Sequence, residues 1–171
     1  SDYQTTLHGK SVYLGFQHLQ SLETRIAHFI SDEREERGAY TSLENFIRRI
    51  PAGIETVQSL IFIGAFRFTG KPKNELLVEC RLLMVNFKSE SRGMLLIEEP
   101  YKEYQLPELK RDPFEDAFDE IELLGFTVSC SPFDLLQTRY RGGTMVRDLL
   151  LHHKKQVKML AYLISRKHVP T

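Results

Sequence analysis

Basic residues gather around one predicted turn, and with it they have the chemistry to bind a phosphate. Arg48 and Arg49 precede the turn Pro51-Ala52-Gly53, and Lys71 and Lys73 follow it along the chain. A helix that begins directly after such a turn has main-chain N–H groups without intrahelical acceptors, and its dipole is positive at this end. Both features favour an anionic ligand, and the nearby cations would strengthen its binding.

Apolar residues recur at helical spacing on both sides of Pro51, which predicts two short helices joined by a tight hairpin. Thr41 with Glu44 fits a capping box for the first helix, and Ser42 is a competing cap. Gly64 stands where a left-handed residue would end the second helix. The predicted buried faces are Leu43, Phe46, Ile47 and Ile50, and then Ile54, Val57, Leu60 and Ile61. This pattern is a helix-hairpin-helix, which makes DNA the first partner to consider.

A packing role is the plain alternative for this hairpin, because helix pairs joined by turns are common in all-α proteins. Glu55 would place a negative charge at the phosphate position. An earlier turn at residues 19–23 is a second candidate hairpin, in which Ser21 and Thr24 could donate hydrogen bonds. It has no glycine and it carries Glu23, so packing is at least as well supported there.

Periodicity predicts three more helices and an irregular α+β connector after residue 87, so the expected fold is mainly α. The last apolar run, Val157 to Ile164, is strand-like, although an apolar helix also fits its pattern. The apolar residues at helical spacing in these three helices are Leu22, Ile26, Phe29 and Ile30; then Leu76, Leu77, Cys80, Leu83 and Met84; and, after Asp112 as cap and Pro113 at the first position, Phe114, Ala117, Phe118, Ile121 and Leu124.

Composition bounds the class of protein. A chain of 171 residues that is 42% hydrophobic can bury a core, and it is too short for more than one or two domains. Its sequence has no apolar run of membrane-spanning length and no signal peptide, so a cytoplasmic location is the default. The net charge is zero, but acids concentrate in 90–122 and bases in 139–171. Since the chain ends just after a strand-like run, we expect a piece of a longer polypeptide.

The sequence offers no pattern typical of a catalytic, cofactor or metal site. Cys80 and Cys130 lie far apart and form no CxxC pair, and the histidines have no metal-ligand spacing. No nucleophile elbow or Walker loop is present in the sequence. We therefore expect no catalytic residues, no metal and no cofactor in this chain.

Four short segments occur in the order and at the spacing of one known family. They are Leu14-Gly15-Phe16 leading into Leu19 and Leu22; Ser42-Leu43-Glu44-Asn45-Phe46 with Arg49; Leu60-Ile61-Phe62-Ile63-Gly64-Ala65-Phe66; and Glu120-Ile121-Glu122-Leu123-Leu124-Gly125-Phe126 with Ser129 and Pro132. These segments resemble the "LGL…V.GL", "SLEDF..R", "LI.AGAF" and "E.E.LGF..S.HP" elements of bacterial DNA polymerase III alpha subunits, in their C-terminal portion. The family includes replicative and error-prone members.

The resemblance implies a tandem helix-hairpin-helix domain over residues 1–87, which contacts duplex DNA behind the polymerase active site. It implies an acidic connector with helices over 88–153 and the truncated start of an OB-fold over 154–171. The family's catalytic metal-binding aspartates lie upstream, and nothing here matches them. The residues expected at the DNA backbone are Gln20, Ser21, Thr24, Arg48, Arg49, Ala52, Gly53, Ile54, Thr56, Arg67, Lys71 and Lys73.

Three positions depart from the family pattern. Ser21-Leu22-Glu23 replaces a Gly-x-Gly in the first hairpin, Ser131 replaces a histidine before proline, and Arg67 replaces an aspartate. The first change weakens the expectation of phosphate binding at that hairpin. The third adds positive charge beside the second hairpin.

Two functions are open on this sequence. The first is a non-catalytic fragment of a replicative polymerase, which holds duplex DNA by its phosphates without sequence specificity, with other replisome subunits as partners of the full-length protein. The alternative is a protein-interaction module, which docks another replisome subunit through acidic residues 90–122 with Tyr101 and Tyr104.

Overall fold

The chain forms two compact units in a computed structural model, Ser1–Phe126 and Thr127–Thr171. The residues that the structure describes are 2–91, 114–138, 140, 142–163 and 165. Their regular structure is mainly helical, which confirms the predicted fold class. The predicted domain boundaries after residues 87 and 153 stay predictions, and so does the connector, most of whose acidic part lies outside the described residues.

The described residues of the first unit form five α-helices and a small β-hairpin. The helices are α1 (Thr24–Arg37), α2 (Leu43–Arg49), α3 (Ile54–Phe62), α4 (Lys73–Ser91) and α5 (Glu115–Leu124). Short 3-10 helices occupy Phe16–His18 and Arg67–Thr69, and the antiparallel strands are β1 (Thr6–His8) and β2 (Ser11–Tyr13). The sequence analysis did not predict the β-hairpin, whose turn uses Gly9 at a φ of 61°.

The core of this unit forms where α2, α3 and α4 pack together. The predicted inward faces of α2 and α3 are confirmed, because Leu43, Phe46, Val57, Leu60 and Ile61 are almost fully buried. From α4 come Leu76, Cys80 and Leu83, which are buried as well. Burial raises the pKa of the Cys80 thiol to about 11, so this thiol stays protonated and packs as an apolar group.

Ser42, not Thr41, caps α2. Its backbone is extended, and its hydroxyl accepts a hydrogen bond from the Asn45 N–H at 3.0 Å. The Asn45 side chain in turn accepts from the Thr41 N–H at 3.3 Å. The predicted capping box of Thr41 with Glu44 is therefore wrong, because the helix starts one residue later and Glu44 pairs with Arg48 at 2.9 Å.

The end of α3 follows the prediction. Gly64 has a φ of 74°, in the left-handed region that disfavours residues with a side chain. Its N–H donates to the Ile61 carbonyl, and the Ala65 N–H donates to the Leu60 carbonyl, both at 2.9 Å. This pair of bonds is a Schellman motif, and it turns the buried Phe66 back against Phe46, with the ring centroids 5.1 Å apart.

The predicted inward face of α5 is wrong at Phe114, Phe118 and Ile121 but right at Ala117. Phe118 is 61% exposed and Ile121 is also exposed, whereas Ala117 and Glu120 are buried. The predicted cap at Asp112 and Pro113 lies outside the described residues, but the helix does end at Gly125, as predicted. The reversal has an electrostatic cause, because basic side chains of α4 and the preceding turn meet the acidic side of α5.

In the second unit, residues 146–152 form a 3-10 helix, and the Tyr140 hydroxyl donates to the Lys158 carbonyl at 3.0 Å. The structure assigns no strand to residues 157–163, and Ile164 lies outside the described residues. The strand of an OB-fold therefore stays a prediction. In the part of the chain that is described, no helix combines the length and apolarity needed to cross a membrane.

The capping arrangement of α2 yields a paired test. Ser42→Ala should lower the free energy of unfolding by about 1 kcal/mol, because it removes the acceptor for an end amide. Thr41→Ala should change it by less than about 0.5 kcal/mol, because the Thr41 side chain is exposed and its main-chain N–H makes the contact. Urea denaturation measures both, and an equal loss in the two variants would contradict this assignment of the cap.

Candidate nucleic-acid interface

The hairpin between α2 and α3 is short and lies at the surface. The Ile50 N–H donates to Phe46, and the Ala52 N–H closes a tight turn on the Ile50 carbonyl at 2.8 Å. Pro51 and Gly53 are exposed. The next helix then starts, with its first intrahelical bond from the Val57 N–H to the Gly53 carbonyl at 3.1 Å.

The first turn of α3 supplies amides for an anion. Ile54, Glu55 and Thr56 precede the first residue whose N–H reaches a helical acceptor, so their N–H groups point out of the helix start. Gly53 is the cap residue, and it has no side chain that could accept from them. Positive ends of amide dipoles therefore meet at the tip of the hairpin.

Gly53 has an ordinary backbone conformation, with a φ of −68° and a ψ of 161°. A Cβ placed on it would meet no atom of the described residues within 4 Å. Neither backbone strain nor packing therefore requires a glycine at this position. The bare main chain does leave room for a ligand to approach closely.

Arg49 is not at this tip. Its Nε donates to Glu33 Oε2 at 2.6 Å, and its Nη2 donates to the carbonyl oxygens of Glu33 and Gly38 at 3.0 and 2.9 Å. A further bond from Nη1 reaches Asn45 Oδ1 at 3.2 Å. The side chain is 11% exposed. These contacts fasten the end of α1 to α2, and the bond to Glu33 raises the pKa of the guanidinium.

Tyr40 completes this assembly. Its ring lies under the Arg49 guanidinium, 4.4 Å from the ring centroid, and its hydroxyl donates to the Ile30 carbonyl at 2.8 Å. Burial, followed by the nearby Glu33 carboxylate, raises the pKa of the phenol. The hydroxyl therefore stays protonated and keeps its hydrogen bond to the α1 main chain. Through this bond and its ring contact, Tyr40 links α1 to Arg49.

The other predicted cations also have carboxylate partners. Arg48 pairs with Glu44 on the solvent side of α2 and lies near the Phe87 ring. Lys71 Nζ lies 2.8 Å from the buried Glu79. The pairs between α5 and the residues before it are Lys73 with Asp116 and Asp119, and Arg67 with Glu120. The positive charges that were predicted around the hairpin are thus largely compensated by carboxylates. The sequence pattern did not indicate these pairs.

A cavity of about 380 Å³ lies between α3 and α5. Its lining residues are Glu55, Gln58, Ser59, Phe62, Asp119, Glu122 and Leu123. Three carboxylates therefore line this space, beside the first turn of α3. Across the described residues, no group of three or more His, Cys, Asp or Glu side chains has a metal-binding arrangement.

The first candidate hairpin is less developed. Only a three-residue 3-10 helix precedes it, and the Leu22 N–H closes the turn on the Leu19 carbonyl at 3.1 Å. Leu19 and Leu22 are buried, whereas the predicted contacts at Gln20, Ser21 and Thr24 are exposed. The leucines anchor the turn in the core, and the polar residues lie at the surface. Gln20, Ser21 and Thr24 are thus exposed neighbours at one turn, which is a different turn from that of residues 52–56.

Comparison with known proteins first gives the kind of motif that the chain contains. Residues 1–76 match a family described as a helix-hairpin-helix motif. The chain is 30% identical over 130 residues to the DNA polymerase III subunit alpha of Staphylococcus epidermidis, and equally to that of Staphylococcus aureus. Each match covers 73% of this chain but 12% of the relative. The resemblance to bacterial DNA polymerase III alpha subunits is therefore confirmed. It extends over a segment that contains a helix-hairpin-helix.

The two neighbouring arginines allow a matched test of their roles. Arg49→Ala should lower the thermal midpoint by on the order of 10 °C, because it leaves the buried Glu33 carboxylate and several carbonyls without their donor. Arg48→Ala should lower it by about 1 °C, since that side chain is half exposed. Differential scanning calorimetry gives both values, and equal shifts would refute a structural role for Arg49.

Proposed function

We propose that this chain binds duplex DNA during replication, through the phosphate backbone and without reading sequence. The observation that carries the proposal is the hairpin at residues 50–53, in which Pro51 and Gly53 are exposed. Its glycine is required by neither strain nor packing, and it is followed by the first-turn amides of α3. Main-chain amides recognise phosphate oxygens, which are the same at every base pair. The family match and the polymerase relatives support the same partner.

The relatives are named as polymerase subunits, and this chain spans about an eighth of their length. Polymerisation is therefore not proposed for these residues. We propose that they help a longer polymerase to hold its template, with other replisome subunits as further partners and no cofactor of their own. A cytoplasmic location, the site of bacterial replication, belongs to the same proposal.

The basic test is fluorescence anisotropy of the chain with a labelled duplex of about 20 base pairs, at several salt concentrations. Binding should weaken steeply as salt rises, because phosphate contacts release condensed counterions. Two unrelated duplex sequences should bind with equal affinity. Absence of binding at low salt, or affinity that ignores salt, would refute backbone recognition.

Gly53→Ala tests the main-chain contact. The stability should stay equal or rise by up to about 1 kcal/mol, because the backbone conformation suits alanine. The affinity for duplex DNA should fall about tenfold or more, since a methyl group would block an amide bond to a charged phosphate, a bond of about 1.5–3 kcal/mol. Gly143→Ala is the control, because that glycine also faces open space and has no positive φ. Unchanged affinity in Gly53→Ala would exclude close approach at this tip.

Glu55→Gln tests the opposing charge at the same turn. Removal of this exposed carboxylate should tighten duplex binding by about twofold to fivefold. It should also destabilise α3 by roughly 0.3–1 kcal/mol, because an acid in the first turn favours the helix dipole. Glu36→Gln in α1 makes the same change in net charge outside the hairpin and α3. If both variants bind DNA alike, Glu55 does not face the phosphate.

Docking of another protein is the second candidate, and the outward Phe118 and Ile121 of α5 favour it. Arg48→Glu discriminates between the two, because this half-exposed arginine lies in the last turn of α2, just before the hairpin, and its reversal would repel phosphate. Duplex affinity should fall under the DNA proposal and stay unchanged under the docking proposal. Arg49 is unsuitable for this test, since its reversal would disrupt the fold.

A further inference from the structure

Helix α5 packs with its acidic side inward. Asp116, Asp119 and Glu120 point towards basic groups of the same unit, and Glu120 is 2% exposed. The apolar Phe118 and Ile121 face outward instead. An amphipathic helix normally buries its apolar stripe, so ion pairing contributes strongly to the orientation of this one.

The carboxylates hold two cations that were predicted to contact DNA. Lys73 Nζ lies 2.8 Å from Asp116 Oδ1 and 2.7 Å from Asp119 Oδ2, and the lysine side chain is 14% exposed. Arg67 Nη2 lies 3.7 Å from Glu120 Oε1, although its own side chain is 62% exposed. Partial burial makes the two Lys73 pairs stronger than ordinary surface pairs.

The same helix also adds negative charge beside the candidate interface. Asp119 and Glu122 of α5 line one cavity with Glu55, which belongs to the first turn of α3. A phosphate that approaches that turn would meet their repulsion. The acidic side of α5 thus opposes DNA in two ways, since it neutralises Lys73 and Arg67 and would repel an anion at the first turn of α3.

We propose that α5 is an electrostatic brake on duplex binding, in which its carboxylates compete with DNA phosphates for Lys73 and Arg67. This inference rests on the proposed function, because it concerns regulation of the same interface. In the braked state the hairpin binds weakly through its amides. When α5 releases Lys73, the lysine becomes available to a phosphate and the affinity rises.

The test compares two charge-matched double variants of the full chain. Asp116→Asn with Asp119→Asn should bind duplex DNA about tenfold more tightly than the wild type at about 0.1 M salt. The slope of log affinity against log salt should steepen by about 1, as expected for one added phosphate contact. Glu35→Gln with Glu36→Gln neutralises two exposed acids in α1, which is the same change in net charge, and its gain should stay below about twofold.

Lys73→Gln, made in the wild type and in the Asp116/Asp119 double variant, shows whether the gain in duplex affinity depends on this lysine. It should abolish most of the gain in the Asp116/Asp119 double variant, and it should lower the affinity of the wild type by a smaller factor than that of the double variant. An equal loss in the two backgrounds would overturn the brake, because Lys73 would then already contact DNA. An equal gain in the two double variants would overturn it as well, since net charge alone would explain the effect.

Failure of the brake is distinguishable from failure of the proposed function. If the wild type binds duplex DNA and the double variant gains nothing, the brake is refuted and the DNA interface stands. If neither protein binds at any salt concentration, both are refuted. Circular dichroism checks that each variant keeps its helices. If the double variant loses them, Asp119→Asn alone is the second variant, with a smaller gain expected and no gain contradicting the brake.

Discussion

The Arg49–Glu33 pair is the contact on which the candidate interface depends. Glu33 is buried, and a buried carboxylate is costly unless a cation and hydrogen-bond donors compensate it. Arg49 does this and also binds the main chain at the end of α1, with Tyr40 stacked against it. Since the hairpin begins with the next residue, its position relative to α1 follows from these contacts.

A consequence is that main-chain groups, more than side-chain charges, have the capacity to bind phosphate here. Each of the five predicted cations at the second hairpin has a carboxylate partner. The amides of the first turn of α3 keep their outward direction because that helix starts from a glycine. A chain without net charge is therefore compatible with an interface for the DNA backbone. Its affinity for DNA would be adjustable through the acids that hold Lys73 and Arg67.

The orientation of α5 joins the fold to this electrostatic balance. Its exposed Phe118 is tolerated because Asp116, Asp119 and Glu120 gain cationic partners on the inner side. Binary patterning assigned the reverse orientation, since a pattern treats every carboxylate as a solvent-facing group. It has no means of recognising a lysine 46 residues away as the partner of Asp119.

Periodicity, proline and glycine act locally, so the sequence was sufficient to predict α1 to α4, the hairpin at Pro51 and the left-handed end at Gly64. It also determined the relationship to polymerase alpha subunits, through ordered motifs. Tertiary structure alone decided that Ser42 is the cap, that Arg49 is internal and that α5 turns its acids inward. Those outcomes depend on which charged groups meet in space, and pairs such as Arg49–Glu33 and Lys73–Asp119 are set by packing between elements.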